Sequence, residues 1–267
     1  MAGFHVMAGG QHDLVRPNVR KIDISDVLDA LRQGLSDFNQ KPSHYVFLSL
    51  IYPIVGIVLA VWSTGANLLP LLYPLASGFA LLGPLAALGL YEISRRRERG
   101  EDTSWKHALG VFRSPALPSI LAVGAMLFAL FITWLLTAQG IYTVYFGATA
   151  PASMSGFLSG LFSTEEGWQV ILWGNLAGFF FAFVTLATTI VAFPLLLDRD
   201  IGAAAAVDAS VRATLVNPVP VGLWGLIVAG MLLVGMIPLF AGLVIVIPVL
   251  GHATWHLYRK LVPPRIL

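Results

Sequence analysis

The sequence predicts an all-α integral membrane protein, with six transmembrane helices in three pseudo-repeats, each preceded by a short cytoplasmic interfacial helix. Three observations carry that prediction. Of 267 residues, 57% are hydrophobic and only 11% charged, less than half the roughly one-quarter charged share of a soluble domain. Several apolar runs exceed the ~20 residues that cross a hydrocarbon core as a helix. The 16 Lys and Arg gather in four stretches, and the connections between those stretches hold none.

Taken in order, residues 1–23 form a polar cytoplasmic tail without the apolar core of a cleavable signal peptide. The first apolar block, His44 to Ile93, breaks at the turn formers Ser63-Thr64-Gly65-Ala66-Asn67. It therefore predicts helices over 44–63 and 67–94. A charged stretch, Arg95 to Arg113, leads to a third helix over 115–139. The connector 140–167 is weakly polar, and a short surface helix is expected near Pro151–Phe162. A fourth helix covers 168–197, and a second charged segment covers 198–217. The last block, Pro218 to Leu257, is too long for one span. Pro238, between Gly235 and Gly242, is the expected turn. Loops rich in Lys and Arg stay cytoplasmic, so the charge pattern places both termini inside.

An internal repeat underlies this pattern. Segments of helical spacing begin at Asp26, Ser104 and Ala206, ahead of the first, third and fifth membrane helices. Each is followed by a proline (Pro42, Pro115, Pro218), and the second helix of each hairpin carries Pro84, Pro194 or Pro248. Three hairpin units result, about 24–101, 102–202 and 203–262, within a membrane domain of residues 24–262. Amphipathic segments of this kind lie at headgroup level with their apolar faces down.

Cysteine is absent, which removes disulfides, thiolate metal sites, iron–sulfur clusters and cysteine nucleophiles together. The net charge of +2 does not point to nucleic acid. Arg95, Arg96, Arg97 and Arg99, with Trp105 beyond them, read first as an ordinary topogenic cluster, and also suit anionic lipid headgroups or an acidic partner. Glu92 has Arg95 and Arg96 one turn away, an arrangement that predicts an ion pair. His252 and His256 share a helix face at a spacing that suits a metal. No Cys, Asp or Glu lies near them in sequence, so no metal and no cofactor is expected. With Trp255 and Tyr258 they form a set suited to anchoring at the membrane interface. Asn175, Thr133, Thr137, Thr185, Thr188 and Thr189 are the strongest polar groups at depth, and Asn175 with the group Thr185, Thr188 and Thr189 is fit for helix–helix hydrogen bonds or a neutral pathway. Between the two membrane interfaces no predicted helix holds an Asp, Glu, Lys, Arg or His, and no hydrolase, phosphate-loop or dinucleotide motif occurs. An enzyme is not expected.

The stretch Leu81-Leu-Gly-Pro-Leu-Ala-Ala-Leu-Gly-Leu-Tyr-Glu-Ile-Ser-Arg-Arg-Arg-Glu-Arg-Gly, continuing through Ser104-Trp105, resembles a bacterial family. So does Pro248-Val-Leu-Gly-His-Ala-Thr-Trp-His-Leu-Tyr-Arg-Lys-Leu-Val. It is domain-of-unknown-function family 2189, integral membrane proteins common in proteobacteria, and the likeness runs from about Arg20 to Val262. The resemblance implies the inner membrane and no activity. Some relatives carry a cytochrome oxidase label, but all six histidines here fall on the predicted cytoplasmic side, where they cannot ligate a haem within the bilayer.

Two function classes follow. The first is a non-catalytic accessory or assembly subunit acting through a membrane partner, for example in a respiratory complex, with membrane lipids as its other contacts. The second is a small transporter or channel for a neutral or lipidic substrate. The charge pattern predicts that tags at either terminus are reached only from the cytoplasm. A protease-protection assay on spheroplasts that digests either tag from outside would overturn the six-helix topology.

Overall fold

The computed structural model describes residues 6, 16–40, 54, 56–58, 61, 69–148 and 151–264. Most of the predicted first membrane helix, 44–63, and the turn after it lie outside the described residues. Among those described, the ordered elements are helices. They are α1 (Ile24–Gln40), a 3-10 turn (Leu69–Leu71), α2 (Leu72–Leu81), α3 (Gly83–Ala86), α4 (Leu88–Glu98) and a 3-10 helix (Trp105–Arg113). Then follow α5 (Leu117–Phe146), α6 (Met154–Ser163), α7 (Glu165–Thr189), α8 (Ala192–Asp198), α9 (Ala203–Val216), α10 (Pro218–Met236) and α11 (Leu243–Leu261).

Three segments are long and apolar enough to cross a membrane: Leu117–Phe146, Glu165–Asp198 and Pro218–Met236. They correspond to the predicted third, fourth and fifth spans. The predicted second span, 67–94, is instead broken into α2, α3 and the start of α4. Pro84 lacks the N–H that would bond residue 80, and its ring crowds that carbonyl. Pro194 acts likewise between α7 and α8, where the chain turns at Ile190 and Val191. The freed Val191 N–H donates to Ser210 Oγ at 3.3 Å. Pro248, the third proline of the expected repeat, sits inside continuous α11. That helix is 19 residues long, but His252, His256, Arg259 and Lys260 leave it too polar to count as a candidate span by composition. The turn around Pro238 falls where the sequence predicts it, over residues 237–242. There a Cβ on Gly242 would lie 2.8 Å from the Gly235 backbone, so the turn needs glycine.

The three segments expected to precede membrane helices are all helical, as α1, the 3-10 helix and α9. The 3-10 helix is unusual, because runs beyond three or four residues are uncommon. Its three-residue period stacks side chains in register and divides the segment into three faces. Ala108 and Val111 are buried on one face, where a Cβ on Gly89 of α4 would lie 3.0 Å from the Ala108 methyl. Leu109 and Phe112 are exposed on the second. His107, Gly110 and Arg113 form the third.

The chain divides into two compact units, one of residues 1–53, 83–125 and 186–267 and the other of 54–82 and 126–185. The second unit packs around Leu81, Trp134, Ala138 and Phe181. Trp134 Nε1 donates to the Pro74 carbonyl at 2.9 Å, and its ring meets Phe181 at 5.8 Å. The short helix expected in the connector is α6, capped by Ser153 Oγ, which accepts the Gly156 N–H at 3.1 Å.

In the first unit, α1 lies antiparallel along α11. Val27, Ala30, Gly34 and Phe38 fall on one helical stripe and are buried. At the crossing a Cβ on Gly34 would lie 2.5 Å from the Ala253 backbone nitrogen, so only glycine lets the two backbones approach. Gly34→Ala should therefore destabilise by about 1–3 kcal/mol through overpacking, overriding the helix-propensity gain of about 1 kcal/mol. Gly222→Ala, on a helix position with open space around it, should be neutral or stabilising. Thermal unfolding of both variants in detergent checks the contrast, and equal midpoints would refute the close crossing.

Candidate functional site

Helix α4 runs from apolar Leu88 into the cluster Arg95, Arg96, Arg97 and Arg99. Successive residues on a helix differ by about 100°, so the four arginines cannot share a face. They part as that geometry requires. Arg95, Arg96 and Arg99 line a pocket of about 530 Å³ within the first unit. Arg97 points away and pairs with Asp37 of α1 at 2.8 Å. Trp105, half-buried at the start of the 3-10 helix, is not part of the pocket lining.

The third face of the 3-10 helix brings His107, Gly110 and Arg113 to the pocket, and Asp198, Arg199 and Asp200 enter from the end of α8. With His107 neutral, the lining carries two more positive than negative charges. Part of that charge is fixed internally. The expected Glu92 pairing is present and bidentate, with Arg95 Nε and Nη2 each at 2.8 Å from a Glu92 oxygen. Arg96 reaches Glu101 at 3.2 Å and donates to the Asp102 carbonyl at 2.8 Å. His107 Nε2 lies 3.0 Å from Asp102 Oδ2.

Behind the pocket stands a second network around Asp198. Arg259 donates to both its oxygens, at 2.8 and 3.0 Å, and Tyr258 Oη donates at 2.7 Å. Fork-to-fork pairing of this kind is among the strongest polar contacts in proteins. The same guanidinium donates to Glu98 at 2.9 Å and lies over the Trp255 and Tyr258 rings at 4.9 and 5.2 Å. Trp255 Nε1 also donates to Glu98, at 3.1 Å. Helices α4, α8 and α11 are thereby tied to one another. Trp255, Tyr258 and His252, expected as interface anchors, lie packed in the unit at 0–1% exposure. The reason is that Trp255 and Tyr258 sheathe Arg259 instead of facing headgroups.

A third hub is Asp37, which accepts from His256 Nε2 at 2.9 Å and pairs with Arg97. His252 Nδ1 lies 2.6 Å from Ser94 Oγ. The two histidines thus have separate partners one turn apart, and the described residues contain no group of three metal-ligating side chains. Lys260 pairs with Asp26 and Asp29 at 3.3 and 2.7 Å, closing the α1–α11 contact at its other end. Asn217 extends that contact, accepting from the Ile22 N–H at 2.8 Å and donating to the Arg20 carbonyl at 3.0 Å.

The polar groups expected at depth are dispersed. Asn175 donates to the Ile171 carbonyl of its own helix at 2.7 Å and accepts from Tyr73 Oη at 3.0 Å. Thr185 and Thr189 are buried in the two different units, and Thr188 lies between them on α7. Sequence reasoning missed Asp37, Glu98 and Asp198 as hubs, and His107, Arg113 and Arg199 as pocket residues. One signal was available: Asp198 closes the apolar run Pro194–Leu197, where a bare carboxylate at a membrane helix end demands a cation.

Burial raises the Asp37 carboxyl, but hydrogen bonds from His256 and Arg97 outweigh it and hold Asp37 below the usual carboxylate range. A carboxylate depressed in the folded state stabilises above its unfolded value of about 3.9. That contribution fades as pH falls through the lower folded value. Asp37→Asn should lower stability at pH 7 by about 2 kcal/mol and flatten the loss of stability below about pH 4. Unfolding curves across pH 2–7 check it, and an unchanged acid slope would remove Asp37 from the account.

Neither the curated proteins nor the solved structures contain a match to this chain. A family does. The matched segment ends at Asp198 and so takes in α2 to α8 and most of the pocket, but not the Pro248–Val262 motif that the resemblance was expected to include. Residues 71–198 match domain-of-unknown-function family 2189, described as a predicted integral membrane protein, and it is to this family that the chain is similar.

Proposed function

We propose that this chain is a non-catalytic, multi-pass protein of the bacterial inner membrane, acting as an accessory or assembly subunit by holding a membrane partner. Six spans with both termini in the cytoplasm complete the reading. The three candidate spans supply part of that count, and the alternation of basic connections with ones free of Lys and Arg supports the orientation.

The observation that carries the proposal is how the ionisable groups near the helix ends are used. Asp37, Glu98 and Asp198 each join elements distant in sequence. Such bonds fix a rigid plate from α1, α4, α8 and α11. A plate of this kind suits a scaffold, whereas a carrier must alternate between two arrangements. Hydrogen bonding at depth favours the same side. Thr133 and Thr137 bond the carbonyls of Ala129 and Thr133 in their own helix at 2.8 Å each, as Asn175 bonds Ile171. Thr133 and Thr137 serve their own helix, and Asn175 also joins its helix to Tyr73 of α2.

Mild-detergent purification of the tagged protein from its native membrane, with mass spectrometry and a visible spectrum, tests the proposal. The expected outcome is co-purification of other membrane subunits in a fixed ratio, with a haem spectrum if the complex is respiratory. Recovery of the chain alone, with substrate flux in proteoliposomes, would replace the proposal with transport.

A further inference from the structure

The arginine pocket has a depth, a charge and an apolar border. Its depth follows from the two candidate spans that end there. Ala116 lines it, and one span begins at the next residue, while Asp198 lines it and closes the other. The pocket therefore sits where the hydrocarbon gives way to the phosphate layer, whichever way the protein is oriented. Helix α5 starts at this point and adds the positive end of its dipole.

Two of its cations have donors left over. Arg99 is 45% exposed and lies 3.7 Å from Asp198, whose oxygens already accept from Arg259 and Tyr258. Arg113 is exposed, and none of the described residues forms an ion pair or hydrogen bond with its side chain. A guanidinium offers five donors in a fixed fork that matches phosphate oxygens. The apolar border is the neighbouring face of the 3-10 helix, where Leu109 is 57% and Phe112 68% exposed. These two residues alternate in sequence with pocket-lining Gly110 and Arg113.

We infer that the pocket binds the phosphodiester headgroup of an anionic phospholipid, with Arg99 and Arg113 on the phosphate and Leu109 and Phe112 against the acyl chains. A free phosphate would meet the same arginines but would leave the apolar border unused. A zwitterionic headgroup would bring its ammonium among the guanidiniums. The inference goes beyond the partner reading and stands on the membrane placement alone, so the pull-down can fail without touching it.

The test uses the full-length protein in neutral detergent, titrated with phosphatidylglycerol, phosphatidylcholine or inorganic phosphate and followed by native mass spectrometry and thermal shift. Saturable binding of phosphatidylglycerol is expected, with a clear preference over phosphatidylcholine. Arg99→Gln with Arg113→Gln should weaken it about tenfold or more, the scale of losing charge-assisted hydrogen bonds. Lys21→Gln with Arg32→Gln removes the same charge elsewhere and should leave binding intact. Leu109→Ser with Phe112→Ser should weaken the lipid but not inorganic phosphate. Equal affinity for both lipids, or an unchanged affinity in the double arginine variant of unaltered thermal midpoint, overturns the proposal. Displacement of the lipid by millimolar inorganic phosphate overturns the lipid assignment in favour of a soluble phosphate.

Discussion

The first unit depends on the pairing of Asp198 with Arg259. A carboxylate at the end of a membrane-length apolar segment loses several kcal/mol of hydration unless a cation replaces it. Arg259 does so with two parallel hydrogen bonds, and Tyr258 adds a third. Because Arg259 also serves Glu98, the position of α11 is set by α8 and α4 together. The pocket floor exists because these side chains cannot relax independently. On the far side of α11, α1 is admitted by the missing side chain of Gly34 and held at its two ends by Asp37 and Lys260.

The second unit is stabilised on different terms. In lipid, apolar surface gains little by meeting apolar surface, and helices associate through close packing and hydrogen bonds. Trp134 illustrates this, joining a neighbouring carbonyl with its indole N–H while its ring fills the space against Phe181 and Gly178. Outward-facing Phe179, Phe180 and Phe183 are ordinary for a lipid-facing helix, however anomalous they would be in water.

What the sequence revealed was local. The turn at Pro238, the helix in the connector 140–167, the Glu92–Arg95 pair and the starts of three spans all follow from contacts within a few residues. Distant partnerships did not. Asp37 meets His256, and Asp198 meets Arg259, across stretches of chain that no periodicity spans. The mixture of aromatic and basic residues in Trp255–Lys260 matches both an interface belt and an internal cation–π stack, and composition cannot separate them. The 3-10 helix escaped for a related reason. Spacings of three fit both an α-helix and a 3-10 helix, yet only the latter aligns His107 with Arg113 and sets Phe112 beside them. Pro84 and Pro194 fall at real breaks, whereas Pro248 sits inside a continuous helix, and proline alone does not tell these cases apart.

The ion pairs also impose an order in time. The residues that complete the first unit, from His252 to Lys260, are translated after nearly everything they bind. Until they leave the ribosome, Asp37, Glu98 and Asp198 lack cations that the finished structure gives them. The pocket can therefore mature only late in synthesis, when the last helix threads back beside the first. A nascent chain stalled before that point would present arginines and carboxylates in an unclosed arrangement, and the cell's quality-control machinery would meet a molecule unlike the finished one.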